Sequence, residues 1–223
     1  MHTAIVILAA GKGTRMKSEM PKVLHEVAGA PLLMHCMKTA QTIEPEHLII
    51  VAGHGSEDVT KAAETYAPDS QIVTQSAQLG TAHAVAQSRE ILSGFEGDLI
   101  ILYGDTPFIR PETLKKLAQA RQKSDLVILG FEANDPGHYG RLITSGTDLL
   151  EIVEHKETNA AQKDITLCNS GVLAGPAQLI FQLIEQVETS NNAGELYLTD
   201  CIALARAAGK SASVVTCPEA ETL

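Results

Sequence analysis

The segment Leu8-Ala9-Ala10-Gly11-Lys12-Gly13-Thr14-Arg15-Met16, followed by Pro21-Lys22-Val23-Leu24, gathers small residues and cations in one short stretch. Small residues let a backbone come close to a bound group. Exposed N–H groups in such a loop cradle phosphate oxygens. Arg15 and Lys22 add mobile positive charge on the same side. The chemistry this favours is the gripping of a polyphosphate. A glycine turn carrying solvated Lys and Arg is the plain alternative for the segment taken alone. The P-loop pattern G-x-x-x-x-G-K-[ST] is not present. Gly11 and Gly13 fit the dinucleotide pattern G-x-G-x-x-G, but Met16 stands at its third position. No acidic residue ends a second strand about 20 residues further on. A nicotinamide dehydrogenase is therefore a poor fit.

Three other segments carry groups of the right type. Tyr103-Gly104-Asp105 ends an apolar run. Ligands of doubly wound sheets gather at the carboxyl ends of strands. A carboxylate at Asp105 is thus placed to hold magnesium (Mg2+) against phosphate oxygens. A turn or helix-cap acid is the alternative there. Asp98 begins the same run, at the opposite end of the sheet, and is not a metal candidate. Gln75 follows the expected strand 71–74, and its amide both donates to and accepts from a nucleobase edge. In Tyr139-Gly140-Arg141, a tight turn, the Gly140 backbone is able to approach a hydroxyl.

These residues need elements to position them. The runs 4–8, 48–52, 99–103 and 126–130 are apolar throughout and rich in Ile, Val and Leu. Apolar on both faces, they predict parallel strands of a sheet covered on both sides. Helical patterns are expected at 31–43, 80–92 and 111–122. The alternation predicts an α/β fold: a Rossmann-like, doubly wound, mostly parallel sheet. Beyond 130 the pattern is less regular, with strands expected at 149–154 and 166–173 and helices at 179–187 and 199–208. A nucleotide-binding lobe at 1–130 and a smaller β-rich lobe at 131–223 are expected.

The chain has 223 residues and a formal net charge of −10, with no Lys/Arg run. A general nucleic-acid binder needs a basic surface; none is expected here. No stretch approaches the length of an apolar membrane span, and the start lacks a signal peptide's basic region. A soluble cytoplasmic protein is expected. Cys36, Cys168, Cys201 and Cys217 lack C-x-x-C spacing and read as structural thiols. The eight histidines show no metal-ligand spacing and read as solvent or core residues, including His25, His83 and His155; His83 is expected on a helix beside the 75–81 loop.

The glycine loop with Pro21-Lys22-Val23-Leu24 resembles the signature of the sugar-nucleotide pyrophosphorylase superfamily. Adding Gln75, Gly80-Thr81, Tyr103-Gly104-Asp105 and Val153-Glu154-His155-Lys156, the string is similar to the uridyltransferase half of bacterial N-acetylglucosamine-1-phosphate uridyltransferases, over nearly the whole chain. That resemblance implies transfer of a uridylyl group from UTP to N-acetylglucosamine 1-phosphate, with Mg2+, for cell-wall and lipopolysaccharide precursors. It implies that Leu8, Ala9, Ala10 and Gly11 wrap base and ribose. Gly13, Thr14 and Arg15 would meet the triphosphate, and Lys22 the α-phosphate. Gln75 and the Gly80-Thr81 backbone would read uracil. Glu154 and Asn169 would bond the hexosamine, and Glu195 and Tyr197 would line its N-acetyl pocket. The family's second metal ligand, an Asn in a G-V-N-x-R segment, is expected beyond Leu223; Asn191 and Asn192 do not match it. None of the hexapeptide repeats of the family's acetyltransferase β-helix occurs here. No acetyltransferase activity is expected, and a trimer only with such a domain. Another sugar phosphate, dTTP, or nucleotide-sugar binding without turnover are the competing readings.

Overall fold

The computed structural model describes residues 2–11, 13, 18, 20–53, 55–189 and 194–222. In chain order these form β1 (Thr3–Ala9), β2 (Glu26–Val27), β3 (Ala30–Pro31), α1 (Leu32–Gln41), β4 (His47–Ala52), α2 (Ser56–Tyr66), β5 (Gln71–Thr74) and α3 (Thr81–Ala86). Then come β6 (Asp98–Tyr103), α4 (Pro111–Arg121), β7 (Leu126–Glu132), β8 (Arg141–Ser145), β9 (Asp148–Val153), α5 (Ala160–Lys163), β10 (Leu167–Pro176), α6 (Ala177–Ile184), α7 (Asp200–Ala207) and β11 (Ala212–Cys217).

All but the β2–β3 ribbon join one nine-stranded sheet, in the order β5-β4-β1-β6-β10-β7-β11-β9-β8. β1 lies between β4 and β6 and runs parallel to both. Every residue of β1 is buried. Its alternate side chains divide between two cores, as a period of two requires. Ile5, Ile7 and Ala9 pack with Leu33, Met37, Leu114 and Leu117 of α1 and α4. Ala4, Val6 and Leu8 pack on the other face with Val85, Ile180, Phe181 and Ile202 of α3, α6 and α7. The expected Rossmann-like sheet with helices on both faces is present. β10 runs against both of its neighbours, β6 and β7, so the sheet is mixed from that point. β8 through β11 complete it, the β8–β9 hairpin lying at its edge.

Expected and observed elements differ in places. The helix expected at 80–92 is regular only over Thr81–Ala86. Beyond it the backbone tightens to i→i−3 bonds, Gln87 N–H to Ala84 O at 3.2 Å and Ser88 N–H to Val85 O at 3.0 Å. Ser88 Oγ also donates to Val85 O at 2.7 Å, which competes for the carbonyl a regular helix needs. The helix α2 was not expected, because it buries only Val59 and Ala63 and shows no strong apolar stripe. The strand β11 was not expected either, since its middle residues are only half-buried.

Candidate active site

β1 and β6 pair in register with Leu8 opposite Tyr103. The ladder continues past the strands, where Gly104 N–H donates to Leu8 O at 2.9 Å. On the other side Gln75 N–H donates to Ala52 O at 2.7 Å, which carries the end of β5 beside that of β4. The carboxyl ends of β1, β4, β5 and β6 therefore stand together. They open into a cleft of about 610 Å³ whose lining includes Leu8, Ala10, Gly11, Gly13 and Gln75. Gly80, Thr81, Tyr103, Asp105 and Glu195 face the same cleft, as does Lys22.

Lys22 is set by close backbone packing. Gly13 has φ +57°, and a Cβ there would stand 2.7 Å from Lys22 Cβ. Only glycine allows that approach at that backbone angle. Lys22 Nζ then reaches Asp105 Oδ2 at 2.7 Å, and both side chains stay partly exposed, at 34% and 29%. The pair is thus accessible from solvent and able to exchange partners. Behind it, Cys36 Sγ donates to Tyr103 O at 3.3 Å. Burial, aided by the Asp105 charge, pushes this thiol up to about 12, so it stays neutral. Among the described residues no group of three His, Cys, Asp or Glu stands close enough to hold a metal ion unaided. Thr14 and Arg15 lie outside the described residues, as do Asn191 and Asn192.

The opposite wall is built by residues 75–81. Gln75 Nε2 donates to Gly80 O at 3.0 Å. Gln78 Nε2 reaches across to Ala10 O at 2.8 Å, tying this wall to the glycine loop. Gln78 is not among the residues expected at the site. Its signal was an amide just ahead of Gly80-Thr81 at a helix start. The wall is clamped from outside by a distant segment: Leu196 N–H donates to Leu79 O at 2.8 Å, and Ala82 N–H to Leu196 O at 2.9 Å. Leu198 N–H donates to Thr81 Oγ1 at 2.9 Å. This clamp brings Glu195 to the cleft.

Ala9 has its side chain in the α1 and α4 core, so only its backbone is available to a ligand. Gly104, Gly140, Glu154, Asn169 and Tyr197 do not line the cleft. Three of these, Gly140, Glu154 and Asn169, assemble beside it, with a different set of contacts. Asn169 N–H donates to Gly140 O at 2.9 Å. Glu154 Oε2 lies 3.5 Å from the point where a Cβ on Gly140 would stand, and its Oε1 accepts from Thr199 Oγ1 at 3.0 Å. Asn169 Oδ1 accepts from Gly171 N–H at 2.9 Å. Arg141, only 2% exposed, holds the preceding loop by donating to the carbonyls of Pro136, Gly137 and Tyr139. Tyr103 connects the two groups. Burial raises its phenol to about 12, and the charges of Glu154 and Asp105 add to that, against a hydrogen bond with Thr81. It is a neutral hydroxyl at any ordinary pH. Burial also raises Tyr197, with Glu195 next in effect. Asp200 is raised by burial, then by Glu157 and Glu154. The Glu154 and Asn169 oxygens are acceptors, and the Arg141 guanidinium is taken up by loop carbonyls, which suits hydroxyl and amide groups better than phosphate.

Residues 5–167 match the model of the MobA-like NTP transferase domain. A "Bifunctional protein GlmU" from Ruegeria sp. (strain TM1040) is 54% identical over 223 residues, which is 100% of this chain and 50% of that protein. One from Paracoccus denitrificans (strain Pd 1222) is 53% identical over 220 residues, 99% of this chain and 49% of that protein. The chain thus spans half or slightly less of the length of these two relatives. Among solved structures, UDP-glucose pyrophosphorylase complexed with UDP-glucose aligns with a TM-score of 0.76 at 19% identity, covering 96% of this chain and 91% of that one. The inositol-1-phosphate CTP transferase from T. maritima aligns with a TM-score of 0.78 at 18% identity, over 98% and 86%. At those identities the structures share the fold. With the family match spanning residues 5–167, the chain belongs to the MobA-like NTP transferase domain family.

Proposed function

We propose that this chain transfers a uridylyl group from UTP to N-acetylglucosamine 1-phosphate, releasing pyrophosphate. The observation that carries the reading is the meeting of Lys22 and Asp105, 83 residues apart, at 2.7 Å on the same cleft as Gln75. A cation, a carboxylate and a base-reading amide in one cleft are the parts this reaction needs. The similarity, over the whole of this chain and half of theirs, to two-function relatives named GlmU supports it.

The sugar phosphate oxygen is already an anion, so attack on the α-phosphorus needs no strong base and no protein nucleophile. Charge grows on the α-phosphate oxygens and on departing pyrophosphate. Fixed N–H groups and cations that face those oxygens lower the barrier. Lys22 serves the α-phosphate, and the backbone at Gly11 and Gly13 faces the polyphosphate, joined by Thr14 and Arg15. To do so Lys22 turns from Asp105 to the substrate. Leu8, Ala10 and the Ala9 backbone flank base and ribose; Gln75 with Gly80 and Thr81 reads uracil. Gly140, Glu154, Asn169, Glu195 and Tyr197, all from the 131–223 lobe, take the N-acetylated sugar. Asp105 would hold a divalent cation, Mg2+ in this reading. One carboxylate fits such an ion, because Mg2+ keeps several waters and takes substrate phosphates as its other ligands. When bound, the ion would neutralise charge on phosphate oxygens.

A substrate panel tests the reading. UTP, dTTP and CTP are each paired with N-acetylglucosamine 1-phosphate and with glucose 1-phosphate, with Mg2+ present, and pyrophosphate is measured. Fastest release from UTP with N-acetylglucosamine 1-phosphate is expected. Faster release from another pair, or nucleotide binding with no release from any pair, contradicts it.

A further inference from the structure

Gln75 is 4% exposed, so its carboxamide has little room to reorient unless its partners release it. Gly80 O accepts from one end at 3.0 Å. A carbonyl only accepts, so that end of the amide is the nitrogen. The second hydrogen of Nε2 points at His83 Nδ1, 2.9 Å away. That ring nitrogen must accept it with its lone pair. The single N–H of the imidazole then sits on Nε2, so the Gln87 Nε2 contact at 3.3 Å sets donor against donor and is not a hydrogen bond, the ring's one lone pair being given to the nearer Gln75. Gln87 is anchored separately, donating to His83 O at 2.9 Å. Both hydrogens of the Gln75 amide are thus used within the protein. Its Oε1 has no hydrogen-bond donor among the described residues and belongs to a side chain that lines the cleft.

We propose that His83 is a positioning residue that locks the Gln75 carboxamide with its oxygen toward the base, and so sets a preference for a uracil-type over a cytosine-type ring. The proposal rests on the uridylyl reading, since it places the base at Gln75. A uracil-type ring has a donor, N3–H, where a cytosine-type ring has a lone pair. A fixed acceptor bonds the first and repels the second. A carboxamide free to turn over would offer either end and lose the distinction. Turned over, the amide would set Oε1 against Gly80 O, which is unable to donate; His83 opposes the turn as long as its ring proton stays on Nε2, because Nδ1 then has only a lone pair to offer.

The test is the ratio of dissociation constants for CTP and UTP, measured by calorimetry on the whole 223-residue chain. Thermal unfolding of each variant checks that it is folded. His83→Leu keeps bulk and removes the acceptor. His83→Asn restores an acceptor, Oδ1, near the place of Nδ1. The CTP-to-UTP ratio is expected to fall about tenfold in His83→Leu, the scale of one hydrogen bond with its orientation lost. It is expected to recover in His83→Asn. On top of Gln75→Ala, the His83→Leu change should add nothing, since the two act as one unit. Should His83→Leu not fold, His83→Gln takes its place: its acceptor stands near the Nε2 position, and the preference should be lost. A folded His83→Leu with an unchanged ratio overturns the proposal alone, as does equal loss in His83→Leu and His83→Asn. An unaltered chain with no preference for UTP overturns the uridylyl reading, and the proposal with it.

Discussion

Replacing Asp105 by alanine is expected to lower Mg2+-dependent pyrophosphate release about a hundred- to a thousandfold, with the fold intact. The loss follows from removing a fixed group that organises charge around the reacting phosphate. The fold should survive because Asp105 lies past the end of β6, is partly exposed, and has Lys22 as its ion-pair partner. Exposed pairs of this kind contribute about 1 kcal/mol or less. The freed Lys22 Nζ returns to water at little cost. A second consequence separates this account from simple damage. Without Asp105, Lys22 loses its competing anion, so UTP binding in the absence of metal should be kept or strengthened. Steady-state turnover, calorimetry with and without Mg2+, and thermal unfolding check the three parts. Turnover near that of the unaltered chain, or weaker metal-free binding of UTP, contradicts the roles given to the pair.

Gly80→Ala should be the most damaging single methyl group in the site. Gly80 has φ +116° and ψ 178°, a backbone region that is in practice restricted to glycine and costs other residues about 1–3 kcal/mol. A Cβ there would also stand 2.4 Å from Leu196 O and 2.6 Å from Leu196 N. These are backbone atoms, and they cannot swing aside as a flexible side chain would. Both are engaged, the N–H with Leu79 O and the carbonyl with Ala82 N–H. The added methyl must therefore part the 79–82 wall from the 196–198 segment. Strain and overpacking together are expected to cost about 3 kcal/mol or more. UTP affinity should fall as well, because Gly80 O orients Gln75 and the clamp delivers Glu195 to the cleft. Denaturant unfolding and UTP titration measure the two effects. An unchanged midpoint with unchanged affinity would mean that the clamp does not shape the site.

How much of this was legible beforehand varies with the range of the interaction. The runs that became β1, β4, β6 and β7 are apolar on both faces, and only a doubly covered sheet buries such runs. Given that sheet, the rule that ligands gather at strand carboxyl ends already places the glycine loop, Gln75 and Asp105 in one neighbourhood. The contacts inside that neighbourhood were not legible. The Lys22–Asp105 pair depends on how Gly13 packs on Lys22, which no local pattern encodes. Gln78 and His83 acquire partners only when the 75–83 segment folds back on itself and against Ala10. Gly80 reads locally as a plain helix start, while its real constraint is Leu196, more than a hundred residues away. The sugar-side residues were assigned by resemblance. Nothing in the local sequence shows that Gly140, Glu154 and Asn169 form a group of their own beside the cleft.

A crystal structure of the chain with UDP-N-acetylglucosamine and Mg2+ tests the central claim most directly. The diphosphate should lie against the backbone of Gly11 and Gly13 with Lys22 turned to it. Uracil N3–H should meet Gln75 Oε1, the ion should touch Asp105, and the N-acetylated sugar should reach Glu154 and Asn169. A nucleotide bound elsewhere, or a cleft that stays closed by its own side chains while Lys22 remains on Asp105, would contradict it.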